Sequence, residues 1–478
     1  MPTFNEKTSA LVDRLEQNNT WRQKECLNLI PSESTPSLLV KMAEISDPAG
    51  RYAEHRTMKG EEVYFYQGVD FIRDVEVEAQ RELGRFFGCE DVELRPVSGQ
   101  MANEVVFKGL VKFLNRDKAE GRPSRRMRLV FNNDLTKGGH LSSQPMGALF
   151  GWVEEDPATG KESVLSLPVR KDNPYRADLE ALAALLEKNK PELVVFGKSM
   201  FLSPEPVKFV ADIVQAWARR PVLMYDMAHV LGLYGAFQEP LREGADVVTG
   251  STHKTFFGTQ RGLVAGTFPK DSPLRNLWLD IKGRAFPGMT SNHHLGSLLG
   301  LLFAAYEMNA FKAEFQAAVR ANAKAFAKSL HGYGVPVEGD PAEGYTETHQ
   351  VLIRVKAFGS GMAIARRLED NNIVTNYQAL PDDATFLESS GIRMGVQEMT
   401  RFGMGPADFD VLAGYIAECV TRGRAVKEEV RRFRQNFRVM GYCLPPEEAL
   451  PLAARVFASA LPGPAFAARF AAELGKLG

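Results

Sequence analysis

The apolar positions of this chain fall into two kinds of segment. RMRLVFNN, PELVVFG, PVLMYDMAH and ADVVTGSTHK are short, β-branched and nearly continuously apolar. A strand with one face in water alternates, so runs without alternation fit parallel strands covered on both faces. Between them lie amphipathic stretches such as DLEALAALLEKN and EPVKFVADIVQAWARR, whose apolar residues recur at helical spacing. Strand-like and helix-like segments alternate from about residue 75 to 290, which predicts an α/β doubly wound sheet. In such sheets ligands gather at the carboxyl ends of the strands.

Outside that stretch the pattern changes. Residues 1–50 read as an N-terminal helical arm, with Leu11, Val12 and Leu15 at helical spacing, and 51–293 as the large domain. The run HLGSLLGLLFAAYEMNAFKAEFQAAVRANAKAFAKSLHGYG, 294–334, predicts a bridging helix. Residues 335–430, with THQVLIRV as a strand and DFDVLAGYIAECV as a helix, form a smaller C-terminal α/β domain. The Ala- and Leu-rich 431–478 reads as a helical tail.

Bulk composition narrows the function mainly by exclusion. The formal net charge is −1, so nothing in it points to nucleic acid or an anionic membrane as partner. No apolar run has the roughly 18 residues that crossing a bilayer requires, and the polar start MPTFNEKTSALVDRLEQNN lacks the apolar middle of a secretion signal. The cysteines Cys26, Cys89, Cys419 and Cys443 are far apart with no metal-like spacing, and they read as reduced thiols of a cytoplasmic protein.

Candidate chemistry sits at strand ends. YDMAHVLG places Asp226 and His229 where an apolar run gives way to a loop, and STHKTFFG places Lys254 at the end of another. A desolvated lysine has a lowered pKa and can act as a Schiff-base nucleophile. A buried carboxylate needs compensation, and a cationic ring nitrogen is one source of it. Lysine plus an acidic partner for a pyridinium nitrogen is what proteins contribute to pyridoxal phosphate chemistry. PVSGQMANE puts Ser98 and Gly99 ahead of a helix, where exposed N–H groups suit a phosphate. LTKGGHLSS offers His140 after two glycines, and SGIRMGVQEMTRFG holds Arg393, able to grip a carboxylate bidentately. Alone, each has an ordinary structural reading: a solvated lysine, a helix cap, a core histidine, a structural ion pair.

The ordered set LIPSES, RYAEH, SGQMAN, GGHLSS, YDMAHVLGL, STHKTFFG and SGIRMGVQEMTRFG, spread over residues 25 to 430, resembles the serine hydroxymethyltransferase family. The resemblance implies a fold-type I pyridoxal 5'-phosphate transferase with a mainly parallel seven-stranded sheet. By it Lys254 would bond the cofactor aldehyde, Asp226 the ring nitrogen, and His140 would stack on the ring. His229 would sit beside the phenolic oxygen. Ser98, Gly99, Gln100, Ser199 and His253 would surround the phosphate, with Gly288 lent by a neighbouring subunit. Ser32, Tyr52, Glu54, Tyr66 and Arg393 would form the substrate side, Glu54 as the acid/base and both tyrosines from the partner. A homodimer or dimer of dimers follows from that sharing.

Several positions depart from the family pattern. Gln260 stands where arginine is usual, Gln100 and Ser143 replace a serine and a histidine, and Phe65-Tyr66 replaces paired tyrosines. HRTMKGEEVYFYQG and FPGMTSNHH replace glycine-rich stretches. These resemble a side branch that includes α-methylserine hydroxymethyltransferases and threonine transaldolases. Two expectations therefore stand together. One is hydroxymethyl transfer between serine or α-methylserine and glycine or D-alanine, with tetrahydrofolate as carrier. The other is a folate-independent aldolase or L-threonine transaldolase. Transamination on the same fold and a non-catalytic relative are disfavoured by Glu54 and by the intact Lys254, Asp226 and Arg393.

Overall fold

The computed structural model describes residues 1–119 and 121–476. Its centre is a seven-stranded sheet in the spatial order Asp91–Glu93, Gly262–Gly266, Val247–Ser251, Val222–Asp226, Leu193–Gly197, Val130–Asn132, Val164–Ser166. Gly262–Gly266 runs antiparallel to both of its neighbours, and the remaining pairings are parallel. Every residue of Leu193–Gly197, Val222–Asp226 and Val247–Ser251 is buried, which accounts for the missing alternation. Successive side chains serve opposite layers. Val194 and Phe196 pack with Leu182, Leu186 and Val210 on one face, whereas Leu193 and Val195 pack with Val106, Phe107 and Trp278 on the other.

The helix predicted over EPVKFVADIVQAWARR is shorter than its pattern, spanning Val207–Val214. Trp217 leaves it to lie beneath Lys190, whose Nζ is 3.7 Å from the ring centroid, a cation–π contact that helical geometry there forgoes. Beyond the sheet a single helix runs from Leu295 to Gly332, 38 residues. It leads to a three-stranded antiparallel sheet ordered Gln350–Arg354, Gly391–Gly395, Asn376–Gln378. Leu27–Asn28 pairs in parallel with Ile373–Val374, so the segment just before Ser32 is tied to the C-terminal part of the chain.

Three features lie at the periphery. The helix Phe4–Thr20 is closed by a Thr3–Glu6 capping box, buries no residue, and leaves Phe4, Leu11 and Leu15 exposed. A hairpin pairs His55–Met58 with Glu61–Tyr64. Its turn is Lys59-Gly60, both at positive φ (54° and 90°) as a two-residue hairpin turn demands. The tail forms helices Pro446–Ala460 and Pro464–Leu474. Among the described residues no helix is long and apolar enough to cross a membrane.

Candidate active site

The carboxyl edge of the large sheet brings the strand-end residues together. Asp226 ends its strand and is 2% exposed. Its Oδ2 accepts from Asn103 Nδ2 at 2.7 Å and lies 2.5 Å from His140 Nδ1, while Oδ1 accepts from the Ala228 N–H at 2.9 Å. Burial pushes this carboxyl up. The His140 charge and hydrogen bond, with Asn103 and the Ala228 N–H, outweigh it and hold Asp226 below the usual carboxylate range. Asp226 is therefore an anion at neutral pH. His229, edge-on to His140 with centroids 5.3 Å apart, is the opposite case. Burial, then the charges of Lys254 and Arg393, push its pKa well below the ordinary value, leaving a neutral imidazole.

Lys254 stands just past the strand Val247–Ser251 on a loop closed by its own polar groups. Thr252 Oγ1 donates to the Thr259 carbonyl at 2.7 Å, and the Gly258 N–H donates to the Thr252 carbonyl at 2.7 Å. The lysine amine is buried and donates one long hydrogen bond, 3.4 Å to Ser251 Oγ. Burial lowers its pKa to about 8, Asp226 opposing the shift and Arg393 adding to it. Lys198, also buried, is different: Glu205 meets its ammonium at 2.5 Å. Lys254, by contrast, forms no ion pair among the described residues, and its lowered pKa brings deprotonation within reach near pH 8.

On the flank, Ser98 caps the helix Gly99–Leu114, its Oγ accepting from the Met101 N–H at 3.1 Å. The neighbouring backbone is too close for side chains. A Cβ at Gly99 would lie 2.2 Å from Ser251 Oγ, and one at Gly262 would lie 2.1 Å from the Ser98 carbonyl oxygen. His253, pushed to about pKa 4 by burial and then by Lys254, keeps a buried Nδ1 with no partner. The Ser199 N–H donates to the Gly138 carbonyl at 2.8 Å, and Ser199 offers its own carbonyl to Arg393 Nη1 at 2.7 Å.

Arg393 comes from the central strand of the smaller sheet and is 8% exposed. Its partners are neutral oxygens, the Ser199 carbonyl and Asn376 Oδ1 at 3.4 Å, and among the described residues it forms no ion pair. Burial brings its pKa down to about 10, so it remains a cation at neutral pH. Arg95, equally buried, is paired with Glu93 at 2.5 Å. A buried guanidinium without its own carboxylate is suited to one that arrives with a ligand. Ser32 and His253 share a cleft of about 1020 Å³ with Thr35, Gly258, Gln260 and Glu398.

Of the expected residues only Ser32 and His253 line that cleft among the described residues; Lys254, Asp226 and Arg393 do not. Tyr52 and Tyr66 lie together on the outer surface, 49% and 41% exposed with centroids 5.4 Å apart. Glu54 shares their segment. Gly288 lines a separate cavity of about 420 Å³ with Lys108, Trp152 and Arg284. Gln100, in the first turn after the cap, is exposed. Conversely, Asn103 and His349 belong to the site and were not singled out in the sequence. Asn103 bridges Asp226, Ser142 and Thr249. His349 donates from Nε2 to the Pro31 carbonyl at 3.0 Å, and its pKa is driven to about 3 by burial, with Arg393 and Lys254 contributing. The signal for Asn103 was its place one helical turn past Gly99, facing the strand ends; His349 carries none beyond preceding a strand.

Pyridoxal phosphate asks for an amine for its aldehyde, an anion for its ring nitrogen, and neutral ring neighbours. It also needs N–H groups and close backbone at its phosphate. Lys254, Asp226, the neutral His229 and the Ser98–Gly99 turn supply these, so the residues fit the group. Asp226 Oδ2 is already hydrogen-bonded to His140, and a ring nitrogen reaching it would share or take over that bond.

A sheet of this order with such a lysine and carboxylate at its edge defines a fold-type I pyridoxal phosphate transferase. The family model described as serine hydroxymethyltransferase matches residues 5–416. The serine hydroxymethyltransferase of Pyrobaculum aerophilum is 38% identical over 432 residues, 89% of this chain and 92% of that one. The one from Staphylothermus marinus is 38% identical over 439 residues, 90% and 92% of the two chains. The chain belongs to the serine hydroxymethyltransferase family. The crystal structure of an L-threonine transaldolase from Pseudomonas fluorescens superposes with a TM-score of 0.78 at 26% identity, over 94% of this chain and 98% of that one.

Proposed function

We propose that this enzyme breaks and forms the Cα–Cβ bond of a β-hydroxy amino acid, interconverting serine or α-methylserine with glycine or D-alanine by hydroxymethyl transfer to and from tetrahydrofolate. The observation that carries this reading is that two buried basic side chains, Lys254 and Arg393, lie close enough at the strand ends for Arg393 to lower the pKa of Lys254. Burial lowers the pKa of Lys254 to about 8, and Arg393 is a buried guanidinium bonded, among the described residues, only to neutral oxygens.

Bound at Lys254 and Asp226, pyridoxal phosphate supplies an electron sink for charge left at Cα. The chain's own residues do the rest. Arg393 would take the substrate carboxylate and so fix the orientation of Cα. Lys254 would serve as a base for a Cα proton. His229, kept neutral by burial, would sit beside the cofactor's phenolic oxygen. Glu54 takes the β-hydroxyl proton during cleavage and returns it in the reverse direction. Tyr52 and Tyr66, exposed on one subunit, would serve the cleft of a second copy, which supports a homodimer or dimer of dimers.

A second reading, folate-independent aldolase or threonine transaldolase, is favoured by the fold's likeness to the L-threonine transaldolase and by Gln260 after the lysine loop. The test uses the holoenzyme with L-serine, α-methyl-L-serine and L-threonine, each with and without tetrahydrofolate, following aldehyde release and exchange of the Cα hydrogen of glycine and D-alanine. Folate-dependent turnover of serine or α-methylserine supports the first reading and names the donor. Acetaldehyde from L-threonine, indifferent to folate, favours the second. Cleavage of none of the three overturns both.

A further inference from the structure

The segment Arg51–His55, which carries Tyr52 and Glu54, has a fixed backbone and free side chains. Four of its carbonyls are taken. Arg51 O accepts from Asn292 Nδ2 at 2.8 Å, Ala53 O lies 3.0 Å from His55 Nδ1, Glu54 O accepts from the Phe65 N–H at 3.0 Å, and His55 O accepts from Arg95 Nη1 at 3.1 Å. The side chains of Tyr52 and Glu54 have no hydrogen-bond partner among the described residues. That is how a segment looks when its backbone is pre-organised and its side chains are kept for a ligand.

What holds it is a buried cluster outside the site at the strand ends. Glu76, on the helix Asp70–Phe87, is 2% exposed and stands between two imidazoles. Its Oε1 is 3.5 Å from His55 Nε2, and its Oε2 is 3.3 Å from His293 Nε2. The His55 ring is stacked on Tyr64 with centroids 4.5 Å apart. Neither Glu76 oxygen has a hydrogen-bond partner among the described residues, and no group among them has the geometry to hold a metal ion. A buried carboxylate so placed holds position through its surroundings, and burial alone pushes it up. The neighbouring His293, then His55 and Arg95, outweigh burial and hold it well below the usual carboxylate range, at about 2. His293 adjoins Asn292, the residue on Arg51. Arg261, at the end of the lysine loop, donates to the carbonyls of His293 and His294 and to Ser297 Oγ. One short loop, 292–294, therefore anchors both the lysine loop and the segment bearing Glu54.

We propose that Glu76 and Asn292 are positioning residues for Glu54, Glu76 acting through the His55 ring and Asn292 through the Arg51 carbonyl. The SNHH stretch that departs from the family pattern thereby holds the backbone of the segment that carries Glu54. This rests on Glu54 having that role. A displacement of about 1 Å at a reacting group costs on the order of a hundredfold in rate, so small shifts here are visible.

The test compares E76Q and N292A with E54Q and the parental holoenzyme. Three quantities are read: cofactor affinity, exchange of the Cα hydrogen of glycine, which needs no β-hydroxyl base, and kcat for cleavage of the β-hydroxy substrate. The expected result is a roughly 10- to 100-fold fall in cleavage kcat for E76Q and N292A, with exchange and cofactor affinity at parental levels. N292A removes one side chain at a half-buried site, so it remains informative if E76Q fails to fold. Equal losses in all three quantities, or no loss in any, would overturn the proposal while E54Q loses cleavage alone. If E54Q itself cleaves normally, the role of Glu54 fails first, and the clamp has nothing to position.

Discussion

Lys198 and Lys254 both lie inside the protein near the carboxyl edge of one sheet, and their partners separate them. Glu205 closes on the first, whereas the second has Ser251 Oγ at 3.4 Å and a pKa lowered to about 8. The cost of burying Lys254 can be read from stability. Unfolded, it keeps its proton to about pH 10.4; folded, it gives it up from about pH 8. Between these values the unfolded chain binds more protons, so stability rises with pH there, and the burial penalty is full below pH 8. Denaturant unfolding of the cofactor-free protein and of K254M at pH 7 and pH 10 should show the variant's advantage shrinking by about 2.5 kcal/mol. An advantage that does not change with pH would contradict this origin of the shift. Asn103 offers a second test at this scale. Its amide serves a charged acceptor, Asp226, and N103A should weaken cofactor binding by roughly ten- to a hundredfold, the weight of a hydrogen bond to a charge. Titration of the cofactor absorbance measures it.

Elements bring these residues together by close approach. Gly262, on the antiparallel strand, lets that strand end meet the Ser98 carbonyl, and a methyl there would lie 2.1 Å from that oxygen. G262A should cost about 1–3 kcal/mol and lose cofactor affinity. G283A, in the helix Arg275–Ala285 with nothing within 4 Å of the added carbon, should be neutral or stabilising by up to about 1 kcal/mol. Thermal unfolding of both separates a close approach from simple helix propensity. The buried strands were legible because being covered on both faces leaves a continuous apolar run. The hairpin was not: its outward positions are Arg56, Thr57, Met58 and Glu61 to Val63, all exposed, so no alternation betrays it. Its one local signal is Lys59-Gly60.

At the scale of the molecule, the cofactor side of the site was readable because strand ends concentrate it into short motifs. The polar residues that support it were not, since Asn103, Glu76 and His349 act across the fold and carry no local pattern. Phe4, Leu11 and Leu15 are exposed on a helix that buries nothing, and Tyr52 and Tyr66 face outward on the surface. We therefore expect a dimer in solution whose sites draw on both chains. Mixing inactive K254A with inactive E54Q and allowing subunits to exchange should restore activity, because one hybrid site regains both residues. No recovery despite demonstrated exchange would contradict shared sites. The most direct measurement is reduction of the purified holoenzyme with borohydride, followed by peptide mass analysis. A pyridoxyl phosphate mass is expected on the peptide containing Lys254 and not on the one containing Lys198. A holoenzyme that is active with Lys254 unmodified after reduction would contradict the assignment of Lys254 as the cofactor-bonding amine.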